Sequence, residues 1–146
     1  MKKLILLFSL FCTTAVADWL TPELLWKLGR VSDAQLSPDG SKAVYTIRRY
    51  TLETNKGNTD IWLYDYASGT ARAIAADSSN ESQPRWSADG KRIFYLDDRN
   101  GSQLWSMNGE GGDRKQASNL KEDINTYGIS PNGKMIWLSI DVKEDN

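Results

Sequence analysis

The sequence predicts an all-β chain: a partial β-propeller of about two and a half four-stranded antiparallel blades, with a short N-terminal helix after a signal peptide. Three observations predict it. First, a Ser-x-Asp/Asn-Gly turn followed by an apolar, aromatic run occurs three times, at Ser37–Tyr45, Ser87–Leu96 and Ser130–Leu138. Second, Ser87 and Ser130 are 43 residues apart, and Asp60-Ile61-Trp62-Leu63-Tyr64-Asp65 returns at that offset as Gln103-Leu104-Trp105-Ser106-Met107-Asn108, as Gly69 returns at Gly112. A period near 43 with four strand-like runs per unit is that of a propeller blade. Third, six Trp and six Tyr against three Phe suit strands and sheet faces better than helix bundles. Ser37 and Ser87 are 50 apart, so the first unit carries about seven extra residues, placed at Thr51–Asn58.

Residues 1–17 read as a secretory signal. Lys2-Lys3 form its positive region, Leu4–Cys12 its apolar run, and Ala15-Val16-Ala17 an A-x-A cleavage site. The apolar run is far short of the ~20 residues a membrane span needs. Bulky Phe11 before Cys12 argues against lipoprotein processing. The expected protein is therefore secreted or periplasmic, begins at Asp18, and retains no membrane span.

Residues 18–32 hold the one convincing helix and the lead-in to the sheets. Thr21 can cap it, Pro22 suits its first turn, Glu23 favours the positive end of the dipole, and Gly29 can end it. Leu24, Leu25 and Leu28 form an apolar face with Trp26 beside it, as in a helix that plugs or lids a propeller.

Blade one is assigned to residues 33–75, with strands at Asp33–Leu36, Lys42–Arg49, Asp60–Tyr64 and Ala71–Ile74. Asp39-Gly40 has the chemistry of a two-residue hairpin turn, because Gly takes positive φ without a Cβ clash. The long polar connection from Tyr50 to Thr59, with Asn55, Lys56, Gly57 and Asn58, is the best candidate recognition loop, although a solvated hairpin end is the simpler reading. Blade two is assigned to residues 82–118, with strands near Gln83–Trp86, Lys91–Leu96, Gln103–Met107 and Arg114–Ala117. Ile93-Phe94-Tyr95-Leu96 is apolar on both faces, so both must be covered. Blade three is incomplete at residues 124–146, with a hairpin of Thr126–Ile129 and Lys134–Ile140 before a charged end.

The composition excludes several chemistries. The sequence contains no histidine, so neither a His base nor a His metal ligand can come from it. Its single cysteine, Cys12, lies in the leader. No G-x-S-x-G nucleophile elbow occurs. Ser37, Ser87 and Ser130 occupy one point of three repeats, which marks them as turn residues rather than nucleophiles; Asp39 and Asp89 follow the same logic, with Asn132 as the third. Asp97-Asp98-Arg99-Asn100-Gly101 is oxygen-rich but lacks the alternating acids and terminal Glu of a calcium loop, so it reads as a turn. Asn80-Glu81-Ser82 and Asn100-Gly101-Ser102 are formal glycosylation sequons of little weight. No catalytic, cofactor-binding or metal-binding residue is nominated. With Lys2 and Lys3 removed, 16 basic residues face 19 acidic ones, which points away from nucleic acid.

The Ser-Pro-Asp-Gly hairpins with the Ile-Trp-Leu-Tyr-Asp and Leu-Trp-Ser-Met-Asn strands resemble TolB-type propellers and the amino-terminal propeller of the prolyl oligopeptidase family of serine peptidases. Leu20-Thr21-Pro22-Glu23-Leu24, Gly29-Arg30-Val31-Ser32 and Asn55-Lys56-Gly57-Asn58 make the chain most similar to secreted bacterial dipeptidyl-peptidase 5-type enzymes. The resemblance covers nearly all of residues 20–140. It implies the non-catalytic part of such an enzyme, acting on peptides, since the family carries its serine, aspartate and histidine in an α/β-hydrolase domain after the propeller. No catalytic position of the family has a counterpart here. Two other readings stand beside it: a non-enzymatic TolB-like propeller that binds envelope proteins, and a small protein whose partial propeller assembles with other chains.

Export with cleavage after Ala17 predicts Asp18 as the mature amino terminus. Amino-terminal sequencing of the protein from its producing cell checks this, and an intact Met1 on a soluble cytoplasmic form would contradict it.

Overall fold

The computed structural model describes residues 20–142. The signal sequence assigned to residues 1–17 lies outside the described residues. Among the described residues, one helix, α1 (Pro22–Lys27), precedes ten strands in three antiparallel sheets. The first sheet runs β1 (Arg30–Leu36), β2 (Lys42–Thr51), β3 (Lys56–Asp65), β4 (Thr70–Ala75) in simple meander order. The second repeats that order with β5 (Glu81–Trp86), β6 (Arg92–Asp97), β7 (Gln103–Asn108) and β8 (Lys115–Gln116). The third is the hairpin β9 (Ile124–Ile129) and β10 (Ile136–Ile140). This is the expected architecture of two four-stranded blades, a half blade and a short helix.

The repeated turn forms for a different reason than the expected two-residue Asp-Gly hairpin. Gly40, Gly90 and Gly133 do adopt positive φ of 70°, 69° and 68°, but the preceding Asp39, Asp89 and Asn132 do not. The loop spans four residues and is closed by its serine. Ser37 N–H donates to the Lys42 carbonyl at 2.9 Å, and Lys42 N–H donates back to Ser37 Oγ at 2.9 Å. Ser37 Oγ–H in turn donates to Asp39 Oδ1 at 2.6 Å, and Ser41 N–H reaches the same oxygen at 3.0 Å. Led by the Ser37 hydroxyl, these donors hold the Asp39 carboxyl down at about 2. Ser87 with Asp89, and Ser130 with Asn132, repeat the pattern. The aspartate is thus a side-chain acceptor that organises the loop, and Asn132 substitutes because its amide oxygen accepts equally well.

Two further expectations are corrected. The connection Tyr50–Thr59 is not a loop for most of its length. β2 and β3 pair continuously from Lys42↔Asp65 to Thr51↔Lys56, so the polar residues lie on a ladder that projects past its neighbours. A polar sequence does not preclude a strand when its backbone groups are paired and its side chains meet water. Gly29 does not end α1 with a left-handed residue; Leu28 caps the helix in extended geometry, while Thr21 Oγ1 accepts from Leu24 N–H at 3.1 Å as expected. Gly29 is required for close approach, since a Cβ there would sit 2.6 Å from Ile47 Cγ2. The helix rests on β2, with Trp26 edge-on to Tyr50 at 5.6 Å between centroids and the Arg30 guanidinium 4.6 Å over Tyr50.

The core lies between sheets. Val44, Ile61, Leu63, Ile74 and Ala75 of the first sheet meet Ile93, Tyr95 and Met107 of the second. On the other side of β6, Leu96 and Phe94 join Leu104, Ile124 and Tyr127 against the third sheet. Ile93-Phe94-Tyr95-Leu96 therefore feeds two cores alternately, as its two-sided apolar character required. The outward faces have no cover among the described residues: Val31 and Leu36 at one end and Met135 and Trp137 at the other are exposed.

Replacing fully buried Ile61 by alanine should destabilise the chain by about 2–5 kcal/mol in urea unfolding. Trp137→Ser should leave stability within about 0.5 kcal/mol. The same change should reduce the self-association expected of the 146-residue chain, measured by light scattering. A parent chain that is already a clean monomer would contradict the second expectation.

Candidate functional site

The densest polar arrangement lies where the first sheet hands over to the second, at the start of β5 and the end of β6. Glu81 and Asp97 are register partners there, and both are fully buried. Gln103 of β7, the next partner of Asp97, is buried beside them. The connector from β4 adds Asp77, Ser79 and Asn80. One carboxylate oxygen from each of Asp77, Glu81 and Asp97 lies within 4.8 Å of the others.

Two arginines neutralise most of this charge. Arg99 lays its Nε 3.0 Å from both oxygens of Asp97, and its Nη2 2.6 Å from Asp97 Oδ2 and 2.8 Å from Asp77 Oδ2. Its other flank stacks over Trp105, 4.4 Å from the ring centroid. Arg114 donates to Asp77 Oδ2 at 3.0 Å and to the Ile74 carbonyl. Asn80 is equally committed: its Oδ1 accepts from Thr59 N–H at 3.1 Å, and its Nδ2 donates to Asp98 Oδ2 at 2.8 Å. A glycan on Asn80 Nδ2 would compete with its bond to Asp98. Asn58 of the nominated recognition loop is drawn in as well, donating to Asp60 Oδ1 and to the Asp77 carbonyl at 2.9 Å each.

Glu81 is the exception. Ser79 Oγ–H donates to Oε1 at 2.9 Å, but Oε2 has no partner, and neither does the buried Tyr95 hydroxyl on the same face of β6 as Asp97. Burial pushes the Glu81 carboxyl up to about 7, against the Ser79 hydrogen bond and with help from Asp97, Asp77 and Asp60. Burial likewise raises Asp60, with Arg49 opposing, and lifts the Tyr95 phenol to about 12.

The three carboxylates have the spacing of a metal cage, but the Arg99 fork already spans Asp77 and Asp97 where a cation would sit. The arrangement is a charge-paired lock between sheets. Its one hydroxyl beside a free carboxylate, Ser79 on Glu81 Oε1, is buried within the joint. Asp97 was legible only as part of a turn, and no local signal shows that Asp77 and Glu81 join it. Asn80-Glu81-Ser82, read as a sequon, held the only trace, as a charge beginning a strand.

A second feature lies at the opposite end of β5. A cleft of about 230 Å³ opens between the two serine turns, lined by Pro38, Asp39, Trp86, Asp89 and Glu110. Glu110 pairs with Lys42 and, at 2.7 Å, with Arg72, and its carboxyl is held low by the Lys42 hydrogen bond first. Ser37 and Ser87 are at this end, each hydroxyl donating to the aspartate of its own turn.

The inner strands carry a third, repeated device. Asp33 in β1 and Gln83 in β5 sit at matching bulges with φ of 51° and 52°. Gln83 reaches the third sheet, donating to the Asn125 carbonyl at 2.9 Å and accepting from Thr126 Oγ1, while its carbonyl accepts from Tyr127 Oη. Asp33 meets Arg85 at 4.0 Å in the same sense.

Residues 27–145 match the PD40 family, described as the TolB beta propeller domain. The chain belongs to this family. Among curated proteins it is 39% identical over 131 residues to dipeptidyl-peptidase 5 of Porphyromonas gingivalis, covering 89% of this chain and 19% of that protein. It is 31% identical over 134 residues to dipeptidyl-peptidase 5 of Porphyromonas endodontalis, covering 91% of this chain and again 19% of the relative. The chain thus spans about a fifth of the length of these relatives. Among solved structures, the acylaminoacyl peptidase of Pyrococcus horikoshii superposes with a TM-score of 0.65 at 21% identity, over 78% of this chain and 18% of that one. The β-propeller domain of the Trilobed protease from Pyrococcus furiosus gives 0.60 at 22% identity, over 77% and 34%. Both show the propeller fold. No helix among the described residues is long and apolar enough to cross a membrane.

Arg99→Ala should destabilise this propeller segment by about 2–3 kcal/mol in urea unfolding. That is below the loss for a fully enclosed pair, because water reaches the exposed flank of Arg99. Arg99→Lys should recover only part of the loss, since an ammonium cannot span both carboxylates as a fork.

Proposed function

We propose that this chain is the amino-terminal propeller part of an exported serine peptidase acting on peptides. The observation that carries the reading is the 39% identity with a dipeptidyl-peptidase 5 across 89% of the chain, in a region that is only 19% of that relative. In such an enzyme the propeller gates access and positions the substrate. Holding a peptide in register contributes orientation and leaves bond cleavage to another domain. The reading extends to the chemistry of this chain: nucleophilic attack from serine needs a base and an oxyanion hole. With no histidine in the sequence, the usual base must come from a hydrolase domain that follows the propeller. The remaining blades and that domain are then its partners. Export to the periplasm or medium agrees with the leader at residues 1–17.

A second reading, a non-enzymatic TolB-like propeller that binds proteins, draws on the family match at residues 27–145 and on the exposed apolar faces at both ends.

The coding sequence downstream of codon 146 separates the two. Further blades followed by a G-x-S-x-G elbow are expected; a complete propeller closing without a hydrolase domain would support the second reading. The chain alone should neither turn over a chromogenic dipeptide nor react with a covalent serine-hydrolase probe. Labelling of one serine, lost on its replacement by alanine and accompanied by turnover, would overturn its assignment as non-catalytic.

A further inference from the structure

Glu81 is a carboxyl group in a place that the lock between sheets does not explain. It is fully enclosed, it lies opposite Asp97 in the β5–β6 ladder, and one of its two oxygens has no hydrogen-bond partner. Every other carboxylate of the joint is matched. Asp97 is clasped by Arg99, Asp77 by Arg99 and Arg114, Asp98 by Asn80, and Asp60 faces Arg49 at 3.8 Å. Glu81 has only the Ser79 hydroxyl. An ionised carboxylate so placed would add an uncompensated charge to a buried layer, which costs far more than a neutral acid there.

We propose that Glu81 is a proton-operated latch between the first two sheets. In the neutral form its second oxygen carries a hydrogen, supplying a donor to a layer whose Tyr95 hydroxyl is also unpartnered. In the ionised form it repels Asp97, Asp77 and Asp60 and weakens the seat of the connector 76–80 against β6. The groups that set the switch come from every element packed on it. These are Asp60 and Arg49 from the β2–β3 ladder, Asp77 and Ser79 from the connector, Tyr95 and Asp97 from β6, and Arg99 and Arg114 flanking β7 and β8. The step moves one proton between Glu81 and solvent and needs no other reactant. It does not depend on the peptidase reading.

The sign follows from proton linkage. The folded chain holds its Glu81 proton to higher pH than the unfolded chain does, at about 7 against an ordinary 4.5. The stabilising contribution is therefore complete below the unfolded value and is lost as pH rises through the folded one. The test is urea unfolding of the full chain and of Glu81→Gln between pH 4 and pH 9. The wild-type unfolding constant should rise on the order of 100-fold more than that of E81Q, which keeps the shape and stays neutral. Parallel profiles for the two chains would overturn the latch. Should E81Q fail to fold, the carbon-13 signal of the Glu81 side-chain carboxyl in the wild-type chain decides the matter. A midpoint near neutrality supports the proposal, and one in the ordinary carboxylate range overturns it.

Discussion

A four-stranded sheet that is apolar on both faces has no stable existence alone; it must lie between two others. That constraint governs this chain. Ile93 and Tyr95 point from β6 into the first sheet, and Phe94 and Leu96 point into the third. Burial of Ile93, Tyr95 and Leu96 contributes roughly 1.5–3 kcal/mol each, with less from half-buried Phe94, and is the main force stacking the sheets. The short hydrophilic turns contribute order rather than bulk energy. Each holds its two strands in register, so that the alternation along β6 presents the right residues to each neighbour.

Stacking creates a polar problem at the end of the stack, where the chain crosses from β4 to β5. The apolar layer ends at Tyr95 and Ala75, and the next row holds Asp97, Glu81 and Gln103. Charges at such a position must be paired or neutral. Arg99 from the β6–β7 turn and Arg114 from beside the edge strand β8 pair Asp97 and Asp77. The pairing sets sheet two against the connector in one register, because a guanidinium fork tolerates little displacement from its carboxylate. At the inner strands, Gln83 performs the neutral equivalent by bonding across to β9. Its left-handed backbone conformation carries strain, offset by these three bonds to the third sheet.

Two kinds of contact thus divide the work. Apolar faces fix how closely the sheets approach, and directional polar contacts at each end of the strands fix their rotation. The cleft between adjacent turns depends on both, since it keeps its shape only if neighbouring sheets do not slide.

The repeat by itself determined the fold. Hydrophobic alternation and the Ser-x-Asp-Gly turn are local signals, and each operates within a few residues of its own strand, so all three sheets, their order and the N-terminal helix could be read in one dimension. The helix cap at Thr21 was legible for the same reason. The full length of β2 and β3 was not, because Tyr50-Thr51 and Lys56 to Thr59, beyond the strands legible at Lys42–Arg49 and Asp60–Tyr64, become strand only by pairing across the ladder. Gly29 looked like a helix stop because its true constraint, Ile47, is 18 residues away. The joint at Asp77, Glu81, Asp97, Arg99 and Arg114 was not legible as a unit. Its members look like ordinary loop charges until the second sheet folds back on the first. Only then does burial distinguish Glu81 from the paired carboxylates around it, since desolvation belongs to the packed sheets and not to any residue.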